Sequence, residues 1–144
     1  MKLKFYYAIP LIVACLAGCS KDPVVATPQL SVPVGSFTGR FVRYHLTVAT
    51  SKVDTVYANL LLSIDASGNY AVSGDTAKYH AGSLGTVALG ANDDLVFTDK
   101  TLPPTGTPAK THLSGTYNFT YNSGIFEMSR LGDTISTQYQ FIHN

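Results

Sequence analysis

Four histidines, nine carboxylates and two cysteines are the residues of this chain with chemistry to offer, and their spacing gathers few of them. His45, His80, His112 and His143 stand far apart. None forms a His-x-His pair, and none has a carboxylate beside it at ligand spacing. A zinc site needs three or four such donors, so only the fold could assemble one. The expectation is isolated, hydrogen-bonded or surface imidazoles, with no metal and no cofactor. Glu127, the only glutamate, lies between Phe126 and Met128. Pointing inward it would have a raised pKa, because desolvation disfavours the charged carboxylate. On a strand, however, successive residues face opposite sides, and Glu127 is then a solvent-facing residue. Asp93-Asp94 reads as a solvated turn, or a weak calcium contact at best. The chain has no serine of the nucleophile-elbow type and no glycine-rich phosphate loop. It therefore reads as a non-enzyme. The aromatic rows Tyr117, Phe119, Tyr121 and Tyr139, Phe141 are the most inviting surface. Tyrosine has an apolar face and a polar tip suited to sugars or amphiphiles. These rings line a pocket if the interior is open, and form the core if it is not.

The elements that must carry these residues are strands. Charged residues are 13% of the chain, while Thr, Ser, Gly, Val and Tyr are frequent, a strand-rich composition. Ser36–Ala49 reads as a first long strand in which Gly39 marks a bend or bulge, and Ser51-Lys52 as the turn after it. Val56–Ile64 is the second strand, with Val56, Ala58, Leu60, Leu62 and Ile64 on one face at period two. Asp65-Ala66-Ser67-Gly68 is a tight turn, after which Tyr70 and Val72 point inward on a third strand ending at Gly74-Asp75. Ala77–Ala81, Leu84–Leu89 and Leu95–Thr98 follow as shorter strands. Lys100–Lys110 carries three prolines and reads as a loop. Leu113, Gly115, Tyr117, Phe119 and Tyr121 then alternate, Asn122-Ser123-Gly124 turns the chain, and Ile125–Leu131 returns. After Gly132-Asp133, Ile135, Thr137, Tyr139 and Phe141 alternate to the end. No mature segment sustains a 3.6 period. About eight strands so closely spaced must pair antiparallel with their neighbours, since crossover helices have no room. Closing such a meander removes its exposed edges. The expected fold is all-β, a single antiparallel up-and-down barrel of about eight strands, with a β-sandwich as the alternative.

The first residues belong to a different kind of segment. Lys2 and Lys4 precede an apolar run, Phe5–Ala17, that is too short for a bilayer and ends in the small pair Ala17-Gly18 before Cys19. That layout is an export signal. Leu16-Ala17-Gly18-Cys19 resembles the lipobox of bacterial lipoproteins, in which the chain is cut before the cysteine and the cysteine is lipidated. The resemblance implies a signal peptide over 1–18, a lipidated Cys19, and an extended proline-containing tether over 19–34. The domain then runs over 35–144. Cys15 leaves with the signal, so the mature chain has one thiol and no internal disulfide. Loss of Lys2 and Lys4 leaves eight basic residues against nine acidic ones. Such a balance lacks the basic patch that nucleic acid requires. Ser20-Lys21-Asp22-Pro23 resembles a sorting sequence for the outer membrane, with periplasmic or surface exposure left open.

Within the domain, Gly35-Ser36-Phe37 resembles the Gly-x-Trp opening of lipocalins, with Phe37 in place of Trp. Leu62-Ser63-Ile64-Asp65-Ala66-Ser67-Gly68-Asn69-Tyr70 and Leu113-Ser114-Gly115-Thr116-Tyr117 are similar to hairpins of small lipocalin-like lipoproteins of Bacteroidetes. This resemblance implies an eight-stranded barrel, often with a cavity open at one end, and assigns no functional residue. Asp54-Thr55-Val56, Asp75-Thr76-Ala77 and Asp133-Thr134-Ile135 resemble an exported-protein O-glycosylation motif, so Thr55, Thr76 and Thr134 are candidate modification sites at turn edges. Two functions fit: a carrier of a small apolar or amphiphilic ligand, or a structural or interaction lipoprotein whose barrel is filled by its own side chains. Cys19→Ser is expected to abolish fatty-acid labelling and to release or stall the protein. Undiminished labelling of that variant would refute the lipid anchor.

Overall fold

The computed structural model describes residues 30–144. The expected signal peptide over 1–18, Cys19 and most of the expected tether over 19–34 lie outside the described residues. Eight strands follow one another: β1 Gly35–Thr47, β2 Lys52–Ile64, β3 Asn69–Gly74, β4 Leu84–Leu89, β5 Leu95–Asp99, β6 Gly115–Asn122, β7 Ile125–Arg130 and β8 Ile135–His143. Each pairs antiparallel with the next, and β8 pairs with β1 from Phe37↔His143 to His45↔Ile135. The result is a closed up-and-down barrel rather than a sandwich. Closure satisfies the hydrogen-bonding groups that an open meander would leave along two edges.

Period-two patterning puts one apolar face inside. Val56, Ala58, Leu60, Leu62 and Ile64 of β2 are all buried, as their alternation predicts. So are Tyr70 and Val72 on β3. Opposite them lie Phe37 and Phe41 of β1, Phe126 and Met128 of β7, and Tyr139 and Phe141 of β8. Most of the rings meet edge-on or tilted through the interior, for example Phe37–Phe126 at 5.3 Å, Tyr70–Phe97 at 5.0 Å and Tyr117–Tyr139 at 5.6 Å between centroids, while Tyr139 and Phe141 stack. Each such large side chain contributes about 1.5–3 kcal/mol by leaving water. Val32, ahead of β1, packs against the same core.

The structure departs from the sequence reading at several places. Ala77–Ala81 is not a strand. Gly74 turns the chain with φ 98°, and the segment finds no ladder partner beyond one parallel bridge, His80↔Thr111. β2 begins at Lys52, four residues before Val56, because a short 3-10 turn at Val48–Thr50 and a left-handed Ser51 reverse the chain tightly. Thr55 is consequently a ladder residue opposite Tyr44, not a turn residue. Leu113 is buried but lies ahead of β6.

Gly39 marks no bulge, since the β1–β2 register runs unbroken from Gly35↔Ile64 to Thr47↔Lys52. It serves a close approach instead. A Cβ there would collide with the backbone carbonyl of Gln140 on β8. Gly39→Ala is expected to cost about 1–3 kcal/mol, as overpacking against unyielding backbone does. Thermal unfolding should show a midpoint several degrees lower; an unchanged midpoint would contradict the close approach.

Candidate functional site

The barrel has two unlike ends. At one, the chain arrives at β1 through Leu30–Val34, the C-terminus leaves β8, and tight connections join β2–β3, β4–β5 and β6–β7. At the other lie the β1–β2 and β7–β8 turns and the two longest connections, residues 75–83 between β3 and β4 and residues 100–114 between β5 and β6. These long connections are stitched together. Ala81 N–H donates to the Thr111 carbonyl at 2.8 Å, Thr111 N–H to the Tyr79 carbonyl at 2.9 Å, and the Lys110 ammonium to the Thr76 carbonyl at 2.8 Å. Together they lie over the second end and drive side chains into it.

His80 is the deepest of these and is fully buried. Its Nδ1 lies 2.6 Å from the Ala81 carbonyl and its Nε2 3.0 Å from the Tyr139 hydroxyl. A carbonyl only accepts, so this network assigns the proton to Nδ1, and Nε2 accepts from the tyrosine. The Phe41 ring meets the imidazole edge-on at 4.8 Å. Burial in these surroundings lowers the His80 pKa to about 4, against the smaller upward pull of its hydrogen bond to Ala81. Burial also raises the Tyr139 pKa.

Beside them sits a second polar group. Asp99 accepts from the Thr101 N–H at 2.7 Å and the Thr101 hydroxyl at 2.6 Å, and pairs with His112 Nδ1 at 2.8 Å. Desolvation pushes the Asp99 carboxyl upward, but hydrogen bonds from Thr101, His112 and Ser83 outweigh it and hold the pKa below the ordinary carboxylate value. The Ser83 hydroxyl also accepts from the Leu113 N–H at 3.0 Å, and the Tyr70 hydroxyl donates to the Leu113 carbonyl. At the rim, Arg43 donates to the Thr111 hydroxyl at 3.1 Å and Arg130 to the Ser114 carbonyl at 2.8 Å.

The residues singled out from the sequence are dispersed by comparison. Tyr117, Tyr139 and Phe141 are wholly buried in the packed interior, and Phe119 is half-buried against the core. Tyr121, 42% exposed, stands at the tether end and touches Phe37 and Phe126 edge-on. Glu127 faces out, where it accepts from the Gln140 amide at 2.8 Å. Thr55 and Thr134 are exposed, and Thr76 is half-buried. Of the histidines, His80 and His112 lie at the loop-bearing end, His45 stands on β1 near the rim of that end, and His143 lies at the opposite end. Among the described residues no three His, Cys, Asp or Glu side chains gather as metal ligands. An open groove of about 480 Å³ crosses the wall, lined by outward residues such as Arg40, Glu127 and Gln138 and also by Phe119, Met128 and Tyr139, so that it meets two of the five aromatic residues expected to line a pocket. Sequence reasoning missed Arg43, Arg130 and Thr137. The available signal was a polar residue continuing an apolar alternating face: Arg43 after Phe37 and Phe41, Arg130 after Phe126 and Met128, Thr137 before Tyr139 and Phe141.

No family model, curated protein or solved structure matches the chain.

The buried imidazole makes the fold acid-sensitive. The unfolded chain takes up a proton near pH 6.5, whereas folded His80 stays neutral down to about 4. Stability is therefore unaffected by His80 above the unfolded value, falls as pH drops through that window, and levels below it. The loss amounts to about 3 kcal/mol at one pKa unit per 1.4 kcal/mol. Asp99 loses its own contribution only at lower pH, within and below the carboxylate range. Denaturant unfolding of wild type and His80→Gln should give stability curves that converge on acidification across this window. Parallel curves would contradict a neutral, enclosed imidazole.

Proposed function

We propose that this protein is a lipid-anchored lipoprotein of a bacterial outer membrane, whose barrel is a filled platform that recognises a ligand or partner through its loop-bearing mouth. The observation that carries this reading is the division of labour along the barrel. Rings occupy the interior, the tether reaches the opposite end, and the polar groups and long connections gather at the mouth. An eight-stranded barrel is just wide enough either to fill with side chains or to hold one small ligand. Phe37, Phe41, Phe97, Tyr117, Phe126 and Tyr139, none more than 2% exposed, favour the first.

The outer wall supports anchoring over spanning. A membrane barrel presents an apolar band to lipid, and here Arg40, Asn59, Asn118, Glu127, Gln138 and Gln140 face outward in mid-wall. Among the described residues no helix is long and apolar enough to cross a membrane. An anchor on Cys19 would leave the tether end toward the bilayer and the mouth away from it. Two or more acyl chains suffice for durable attachment, at about 0.8 kcal/mol per buried methylene.

A carrier of apolar ligands is the competing reading, and it requires space inside. Native mass spectrometry of the chain from Ser20 to Asn144, after exposure to envelope extract, is expected to show no apolar adduct. A reproducible, stoichiometric lipid-like added mass would overturn the filled-platform reading and establish a carrier.

A further inference from the structure

The mouth holds two arginines that pair with no carboxylate among the described residues. Arg43 on β1 and Arg130 on β7 lie directly opposite the same residue, Thr137, of the intervening β8. All three continue inward-facing registers, so their side chains share the interior side of the wall. Neighbouring strands are about 4.8 Å apart, which sets the two arginines about 10 Å apart with the threonine between them. Two long side chains readily converge across that distance.

Their partners within the protein are few. Arg43 donates to Thr111 and Arg130 to the Ser114 carbonyl, both in the connection that covers the mouth. A guanidinium has five donors, so each keeps capacity for another acceptor. Among the described residues the one ion pair is Asp99 with His112, which leaves both arginines without a carboxylate. The other charged groups at this end include His45 and Asp54, paired two residues beyond Arg43, Asp133 in the β7–β8 turn, and Asp75, Lys78, Lys100 and Lys110 in the two long connections. None of these aspartates pairs with an arginine.

Thr137 supplies an independent observation. It is 1% exposed and its hydroxyl has no hydrogen-bond partner among the described residues. Buried hydroxyls are almost always paired, because an unmet one costs stability. This one is unmet on the strand position that lies between the two arginines in the ladder. Gly115 fits the same picture. With φ 91° and no side chain, it leaves room for the Arg130 guanidinium, which a Cβ would press at 2.9 Å and which lies 5.2 Å from the Tyr117 ring centroid.

We propose that Arg43, Arg130 and Thr137 form a binding site for a compact oxyanion, the phosphate or carboxylate group of a ligand, at the loop-bearing mouth. Planar guanidinium forks match both groups bidentately, and the threonine hydroxyl provides one more donor between them. The proposal depends on the reading above only for placing recognition at this end. Its chemistry comes from these three residues.

The test is titration of the barrel domain, which holds all eight strands and closes on itself, with inorganic phosphate and separately with acetate. Ionic strength is held constant with chloride, and binding is followed by calorimetry and by amide and arginine side-chain NMR. Saturable one-to-one binding is expected, with shifts confined to Arg43, Arg130, Thr137 and the 100–114 connection. Preference for phosphate or for acetate identifies which group the ligand bears. Arg43→Gln and Arg130→Gln should each weaken binding about tenfold or more, as loss of a charge-assisted hydrogen bond does, and Thr137→Val should weaken it less. Should Arg130→Gln fail to fold, Arg43→Gln and Thr137→Val decide. Absence of saturable binding, or binding undiminished by Arg43→Gln, overturns the site. If that failure comes with a lipid-like adduct in native mass spectrometry, the filled-platform reading falls too; with no adduct, only the oxyanion site falls.

Discussion

The pairing of β1 with β8 is the constraint on which the rest of the molecule depends. Nine residues of each strand face one another along that seam, joining the beginning of the domain to its end. Without it the sheet would have two open edges and one face of rings exposed to water. With it the same rings become a core. The seam also needs backbone to approach backbone, which is why Gly39 sits beside Gln140 and Phe141 rather than a larger residue. Closure decides the site as well. Arg43 and Arg130 are far apart in sequence and flank Thr137 only because β1, β8 and β7 are consecutive staves of the barrel.

A gradient of polarity runs along the interior. Toward the tether it is aromatic, with Phe37, Phe126 and Phe141 in mutual contact or nearly so. Toward the mouth it acquires hydroxyls, an imidazole, a carboxylate and two guanidinium groups. Buried polar groups are tolerable when satisfied, and most of these are, through the connections at 75–83 and 100–114. Those connections therefore do two jobs. They complete the hydrogen bonding of the core's polar end, and they define the surface presented to a ligand. Thr137 and Tyr117 are the exceptions, their buried hydroxyls having no partner among the described residues, and Thr137 lies between the two arginines.

Much of the barrel is legible in the sequence, because period-two alternation and turn residues are local signals. Val56 to Ile64 shows which side of β2 is buried, and Leu84–Leu89 has the bounds its composition suggests. Ala77–Ala81 misleads for the same reason. Its alternation is genuine, but a strand also needs a neighbour to pair with, and none lies beside it beyond a single bridge. Of the aromatic rows, Tyr117, Tyr139 and Phe141 are buried, and only closure shows that Tyr117 and Tyr139 pack on each other and leave Tyr121 exposed at the end away from the mouth. His80 looks like one more isolated histidine until the loop carrying it is folded into the barrel. Arg43, Arg130 and Thr137 are invisible as a group because nothing local links them. What their sequence context does show is a polar residue interrupting an apolar face, a pattern that deserves weight in any β-barrel.

The central claim is that the interior is occupied by the protein's own side chains and that recognition belongs to the mouth. Pressurised xenon tests it most directly, since xenon enters dry apolar voids without needing any specific contact. NMR of the core methyls of Leu60, Leu62 and Met128 is predicted to show no saturable shift as xenon pressure rises. Saturable shifts at those methyls would reveal a hollow barrel and contradict the account.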